Sequence, residues 1–333
     1  MAYSLTDLRD RLPRPSIQSL LKWLGYPLFF LFCFVLFSYW TFPWDRARNK
    51  LVEEAGKRGY ALEIVDMSPS GLSGVTLSGV RLVLPLQPGE TGPAQELLVE
   101  ELSVRAGLFA FMRGSKAFSF DAELAGGAFE GALDLGKEEE LDFEAEFENL
   151  NLTQLAALRK YTFVPMRGIA TGDVEIHMPS EVDESSGHFD VTISDFTVGD
   201  GNAKVDIPGW GGLTLDEASA GDFNFKAEIQ EGTMDIQRAE AHGSDLQLDA
   251  VGSVRLARPV KRSQLDVMFR IKIEDAYKEK SPKVATALGM VEQQRQFKAA
   301  QTSDGALQYA LKGSLSGPLR PTPAGQESLG PPK

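Results

Sequence analysis

The residue types able to hold a metal or move a proton are thinly spread along this chain. Its three histidines, His177, His188 and His242, have no cysteine or second histidine at ligand spacing, and the sole cysteine, Cys33, sits inside an apolar run. All three histidines fall in or beside stretches of alternating apolar and polar residues, on the polar register, which places them on a solvated surface. The acidic pairs Asp142/Glu144 and Asp173/Glu175 are two residues apart, so each pair shares one face of a strand. Two carboxylates so placed could divide the work of general acid and base, but the same spacing arises wherever the wet face of a strand is acidic. The stretch Asp195 to Asp206 has acids near a glycine without the spacing or terminal Glu of a calcium loop. No phosphate-cradling glycine loop ending in Lys-Ser or Lys-Thr occurs, and no Gly-x-Ser-x-Gly elbow occurs between a strand and a helix. Asn151-Leu152-Thr153 matches the glycosylation sequon in form only. The expectation is a protein without catalytic residues, bound metal or cofactor.

The elements that carry these residues are strands. Leu141-Asp142-Phe143-Glu144-Ala145-Glu146-Phe147-Glu148 puts Leu141, Phe143, Ala145 and Phe147 on one face and four acids on the other. The same period of two runs through 118–124, 223–229 and 265–273, and more briefly through 174–178, 189–193 and 307–311. Phe118, Phe120, Leu141, Phe143, Phe147, Phe223, Phe225, Val267 and Phe269 are therefore the candidate lining of an apolar groove or core. Compact turn signals, Gly126-Gly127, Asp200-Gly201-Asn202, Glu231-Gly232 and Gly243-Ser244, favour hairpins between sequence neighbours. Two helical breaks are expected: a brief one near Thr153 to Lys160 with Thr153 as N-cap, and a longer one from Glu274 to Gln301 starting in earnest at Pro282. The Pro- and Gly-rich segment 318–333 reads as a disordered tail. An antiparallel sheet with one apolar face must cover it with a second sheet, helices, lipid or a partner. Two helical segments are too short for so many strands, so the expected fold is mainly β: a curved antiparallel sheet forming an elongated groove, or folded sandwich-like on itself.

Ahead of the strands, the run Trp23 to Trp44 contains no charged residue. As a helix it would be roughly 33 Å long, enough to cross a hydrocarbon core of about 30 Å. Trp23 and Tyr26 at one end and Tyr39, Trp40 and Trp44 at the other are spaced like interfacial aromatic belts, and Pro27 is placed in the first turn, where its missing N–H does no harm. A cleaved secretion signal is the rival reading. Against it, Ser38-Tyr39-Trp40-Thr41-Phe42-Pro43-Trp44 lacks the small residues that a signal peptidase needs. The expected organisation is a leader over 1–22, a transmembrane helix over 23–44, a linker helix over 45–60, a β domain over 61–317 and the tail. Basic residues nearly balance on the two sides of the span, so charge alone leaves the orientation open.

The net charge is −13. Residues 1–44 hold four of the 34 basic and two of the 47 acidic side chains, so the remainder carries −15. That field repels nucleic acid and anionic headgroups, and nucleic-acid binding is not expected. With 43% hydrophobic residues the chain is neither disordered nor a bare stalk.

The order of features resembles a known family. A basic leader and a span ending in Phe42-Pro43-Trp44 are followed by Ser70-Gly71-Leu72-Ser73-Gly74-Val75-Thr76-Leu77-Ser78-Gly79-Val80-Arg81-Leu82. Near the end, a helix precedes Asp304-Gly305-Ala306-Leu307-Gln308-Tyr309-Ala310-Leu311-Lys312-Gly313-Ser314-Leu315-Ser316-Gly317-Pro318. This pattern, over Pro43 to Pro321, is similar to the type II secretion system protein N family in its longer deltaproteobacterial form. A Gly-Val-x-Leu strand soon after a single span also resembles the AsmA-like and TamB-like envelope proteins, whose elongated β-groove is thought to guide lipids. The resemblance implies an inner-membrane protein with its β domain in the periplasm. It implies other secretion-system subunits as partners in the first case and lipid in the second.

Overall fold

The computed structural model describes residues 17–71, 73–84, 95–107, 110, 114–136, 140–155, 165–201, 204–207, 211–291, 294–317, 319–327 and 329. The chain divides into two units after Asn49. The first contains α1 (Ile17–Thr41), whose stretch Trp23–Thr41 is long and apolar enough to cross a membrane and has no buried residue among those described. Two expectations shift here. The helix starts upstream of the apolar run, so Pro27 is interior to it rather than in its first turn. It also ends at Thr41 rather than Trp44, because a residue preceding proline is pushed out of the helical region and Phe42 precedes Pro43. The chain re-enters a helix at once, in α2 (Trp44–Lys57). Asp45 in its first turn and Lys57 in its last complement the dipole, and Lys57 reaches Glu53 at 3.0 Å. Gly59 in the left-handed region then ends it, with the Tyr60 N–H bonded to the Ala55 oxygen at 3.0 Å.

The second unit is built on one antiparallel sheet. Its strands are β1 (Ala61–Ser70), β2 (Gly74–Leu84), β3 (Gln95–Ala106), β4 (Lys116–Leu124), β5 (Gly127–Leu135), β6 (Leu141–Asn151), β7 (Met166–Met178) and β8 (Ser186–Val198). After a separate two-stranded hairpin, β9 (Lys204–Ile207) with β10 (Gly211–Thr214), follow β11 (Ala218–Gln230), β12 (Thr233–His242), β13 (Leu246–Arg255), β14 (Gln264–Ile273), β15 (Leu307–Ser314) and β16 (Pro321–Pro323). The 14 strands of the main sheet lie in chain order, β8 pairing β11 across the inserted hairpin, with no closure between β1 and β16. This is the mainly β, antiparallel architecture that the alternation predicts, in its open form. Among the described residues the only other sheet is the small β9–β10 pair.

Local chemistry sets the meander. Between β4 and β5, Ala125 and Gly126 both have positive φ (53° and 74°), and between β11 and β12, Glu231 and Gly232 do (49° and 70°). Two consecutive left-handed residues make the tight turn whose twist matches that of the flanking strands. Asp200-Gly201, expected to close a hairpin, instead opens the connection that carries β9 and β10.

Three further expectations are corrected. The stretch Glu274 to Gln301 contains three short helices, α3 (Asp275–Lys280), α4 (Pro282–Val291) and α5 (Arg295–Ala300); the first two are parted where Ser281, before Pro282, leaves the helical region at φ −124° and ψ 87°. At Thr153 no helix begins: Asn151 Oδ1 accepts the Thr153 N–H at 3.0 Å in a turn, and residues 156–160 of the expected helix lie outside the described residues. The tail expected to be disordered contributes β16, paired with β15 through Pro321, Thr322 and Pro323. Two prolines suit an outermost strand, where the missing N–H groups face no neighbour.

Candidate functional site

The pairing register places all nine predicted residues on one face. Across the first half of the sheet, Phe118, Leu133, Phe143 and Ile176 lie directly opposite one another on successive strands, as do Phe120, Gly131, Ala145, Val174 and Phe189. Phe147 pairs with Gly172 and, through it, with Val191, which sits opposite Phe225; Phe223 pairs with Ile193. In the second half Val267 faces Leu311 and Phe269 faces Tyr309, and Leu141 lies between Leu135 and Met178. The same face continues through Leu62 and Ile64 of β1 opposite Leu82 and Val80 of β2. Residues opposite each other in an antiparallel pair point to the same side, so this is one apolar surface from β1 to β16.

Its burial is inverted relative to an ordinary core. Phe118 is exposed at 37% and the other eight predicted residues are half-buried, whereas the buried positions on the same face are mostly smaller or aliphatic: Ala122, Ala145, Ala227 and Ala241, with Met178, Ile229 and Ile236. Among the described residues, the largest side chains less than 2% exposed are serines, Ser185, Ser263 and Ser281. In a covered core, large apolar side chains are the most completely buried. Here rings shield the alanines between them and present their own outer surfaces. Ring pairs fix the surface: Phe120 lies 5.2 Å from Phe129 and 6.3 Å from Phe143, and Phe269 lies 5.7 Å from Tyr309.

One end of the sheet is covered. Leu150, Leu152 and Ala170 form one small cluster, Phe196, Ala220 and Ala241 a second, and Ala218, Tyr277 and Val284 a third that docks α3 and α4. The docking is polar at its centre. The Tyr277 hydroxyl donates to the Asp216 backbone oxygen at 2.5 Å and the Ser281 hydroxyl to the Asp216 carboxylate at 2.5 Å. Asp245, buried, accepts from the Ser219 N–H and from Lys280 Nζ, each at 2.9 Å. Burial pushes the Asp245 carboxyl up, but the Ser219 amide and the Lys280 ammonium outweigh it and hold it below the usual value. Burial, with the charges of Asp216 and Asp245, pushes the Tyr277 phenol up to about 12.

The opposite face is polar and acidic, and each histidine finds a carboxylate on it. His177 bonds Asp142 across the β6–β7 pair, His188 lies 2.6 Å from Asp173 and 3.3 Å from Glu175, and His242 lies 2.8 Å from Asp249. Thus both expected acidic pairs are partly engaged by histidine, a link invisible without the register. A shallow hollow of ≈ 480 Å³ on this face is lined by Asp121, Glu130, Glu144, Glu146, Asp173 and His188 among others. Glu240, His242 and Asp249 come close enough to offer one ligand atom each to a cation. However, Arg238 reaches Glu240 at 3.2 Å and Arg270 reaches Asp249 at 2.8 Å, so both carboxylates already have a cationic partner. Asp195 and Asp206 lie on different strands, β8 and β9, and do not form one loop.

Sequence reasoning missed the helix-docking network, whose members are far apart in the chain. It also missed Arg255, Arg258, Lys261 and Arg262, although the signal was there: no acid occurs between Asp249 and Asp266. Comparison with family models, with curated proteins and with solved structures returned no match.

Proposed function

We propose that this chain is a single-pass inner-membrane protein with its β domain in the periplasm, serving type II secretion as an accessory component that acts by non-covalent binding. The observation that carries the reading is the apolar face, continuous over 14 strands yet presenting half-buried rings. Open apolar surface on this scale is a place for contact with a partner. The helix able to span a membrane supports the anchor. The resemblance of residues 70–82 and 304–318 supports the secretion assignment and the periplasmic side. Removing the chain from its cell is the test: type II cargo is expected to accumulate in the periplasm, and a chain bearing only a mutated apolar face is expected not to restore export. Unchanged export in the deleted strain would contradict the reading.

A second reading is favoured by one observation, the lane in which exposed Phe118 and half-buried Phe143 lie in line with Leu133 and Ile176, with half-buried Phe120 stacked beside Phe143. Such a lane suits acyl chains, as in the AsmA-like proteins. Purified full-length protein would then release stoichiometric lipid in excess of that held by the anchor alone.

A further inference from the structure

Two connections at the same end of the sheet share one architecture and differ in charge. Between β7 and β8, Val182–Glu184 form a single 3₁₀ turn followed by the buried Ser185; between β13 and β14, Val260–Arg262 do the same before the buried Ser263. In each, the serine N–H closes on the valine oxygen and the serine oxygen accepts from the next turn at that end, from the Gly232 N–H at 3.3 Å and from the Leu315 N–H at 3.0 Å. The first turn carries Glu181, Asp183 and Glu184. The second carries Arg255, Arg258, Lys261 and Arg262.

The basic turn is held rigidly. The Ser263 hydroxyl accepts the Ala257 N–H at 3.1 Å, the Leu256 N–H bonds the Gly232 oxygen at 2.8 Å, and the Arg258 guanidinium donates to the backbone oxygens of Met178 and Pro179 at 3.0 and 2.6 Å. Arg258 thereby ties the basic turn to the acidic one. Arg255, Lys261 and Arg262 are exposed, and none forms an ion pair with a described residue. Arg81, Arg167, Lys226, Arg238, Arg270 and Lys312, which lie on strands, each have a carboxylate partner, whereas Arg105 on β3 and Lys116 on β4, like Arg255 at the end of β13, form no ion pair with a described residue. At the tip beside these cations stand two aliphatic side chains, Val260 at 52% and Leu315 at 42% exposure, on turns joined by the Leu315–Ser263 bond and by a Ser314 hydroxyl bond to the Lys261 oxygen at 3.4 Å.

Exposed aliphatics ringed by unpaired cations fit the interface of an anionic bilayer, where the cations meet phosphate and the aliphatics enter the headgroup boundary. The net −15 of the domain opposes this at long range. Screening confines each charge to about 8–10 Å, so the tip is governed by its own cations and by the acidic turn that Arg258 touches. Within the sheet, β1 begins at the end opposite this tip and runs toward it. We propose that the tip formed by Val260, Lys261, Arg262 and Leu315 is a second membrane-contact site, for the surface of a bilayer bearing anionic phospholipid. The contact is independent of the secretion reading and requires only the anchored chain.

The test uses the full chain in phosphatidylcholine nanodiscs, floated with vesicles of phosphatidylcholine alone or mixed with phosphatidylglycerol. Wild-type discs are expected to float with the phosphatidylglycerol vesicles. Each basic side chain at such a surface is worth about a factor of five, so Lys261→Gln with Arg262→Gln is expected to weaken flotation about 25-fold. The leader's basic residues give a background that this variant leaves in place, and Asp183→Asn with Glu184→Gln, in the twin turn, is expected not to weaken it. Equal flotation by wild type and the Lys261/Arg262 variant would overturn the proposal, as would no preference for phosphatidylglycerol. Equal loss in the two turn variants would assign the effect to the fold and overturn it as well.

Discussion

The ring of Phe120 lies directly over Gly131: a Cβ on that glycine would stand 2.6 Å from Phe120 Cζ and 2.2 Å from the Glu144 oxygen. The two are opposite each other in the β4–β5 pair, and the absent side chain is what lets Phe120 lie flat between Phe129 and Phe143. Gly172 repeats the device beneath Phe147, whose Cζ would be 3.1 Å from an added Cβ. Aromatic residues covering cross-strand glycines hold the open face together from within the sheet rather than from a facing layer.

Gly131→Val is therefore expected to lift the Phe120 ring and to destabilise the domain by about 1–3 kcal/mol, the cost of overpacking without room to relax. Thermal unfolding followed by circular dichroism measures it. An unchanged midpoint would show that both the Phe120 ring and the Glu144 backbone yield without cost.

The exposure pattern gives an unusual ranking of charge substitutions. Phe143→Asp, at a half-buried position, is expected to cost about 1–2 kcal/mol in lost apolar contact and to leave the domain folded. Ala241→Asp, on the same face but 0% exposed, buries a charge with no partner and is expected to unfold it. Denaturant melts of the two variants compare them, and the opposite order would mean that the face is covered.

Much of this was legible in the sequence. The acid-lined period of 141–148 fixes both the strand and the side on which Phe143 and Phe147 stand, and the nine expected residues do share one face. Other strands hide. In β3 the register shifts between Val99 and Glu101, and in β12 and β13 it shifts between Ile236 and Glu240, so a bulge moves the apolar set by one residue and destroys the alternation. β5, Gly127–Leu135, is interrupted by the very glycine that accommodates Phe120. The histidine–carboxylate pairs and the Tyr277–Asp216 contact depend on which strands become neighbours, and no local pattern carries that information.

The docking of α3 is sensitive to acid. The folded-state pKa of Asp245 is depressed, so the stabilisation it gives is complete above the pKa of an unfolded aspartate, near 3.9, and is lost as pH falls through the lower folded value. Asp245→Asn is expected to cost about 1.5–3 kcal/mol at neutral pH, the worth of hydrogen bonds to a charged group, and to abolish that acid-side slope. Stability measured against pH for the two proteins checks both.

At the other extreme, Tyr277 has a raised pKa, so its contribution is complete below the unfolded value of about 10 and is lost as pH rises toward about 12. Tyr277→Phe is expected to lose about 1 kcal/mol with the Asp216 hydrogen bond, and to remove this alkaline decline. A wild-type profile flat between those values would contradict the buried hydroxyl.

For the anchor, the expectation is that the chain stays with membranes through carbonate washing and leaves them only in detergent. A reporter active only outside the cytoplasm is expected to work when fused after Gly317 and to fail when fused before Leu20. The reverse pattern would place the β domain in the cytoplasm and remove both functional readings.

The most direct measurement is a photo-crosslinking amino acid at Phe143 in the full chain, irradiated in the native membrane, with one at the neighbouring Glu144 on the polar face as its control. An apolar face open to a binding partner predicts adducts to lipid or to another protein at position 143 and not at 144. Adducts at 143 only to segments of this same chain would show that the protein covers its own face, and would contradict the account.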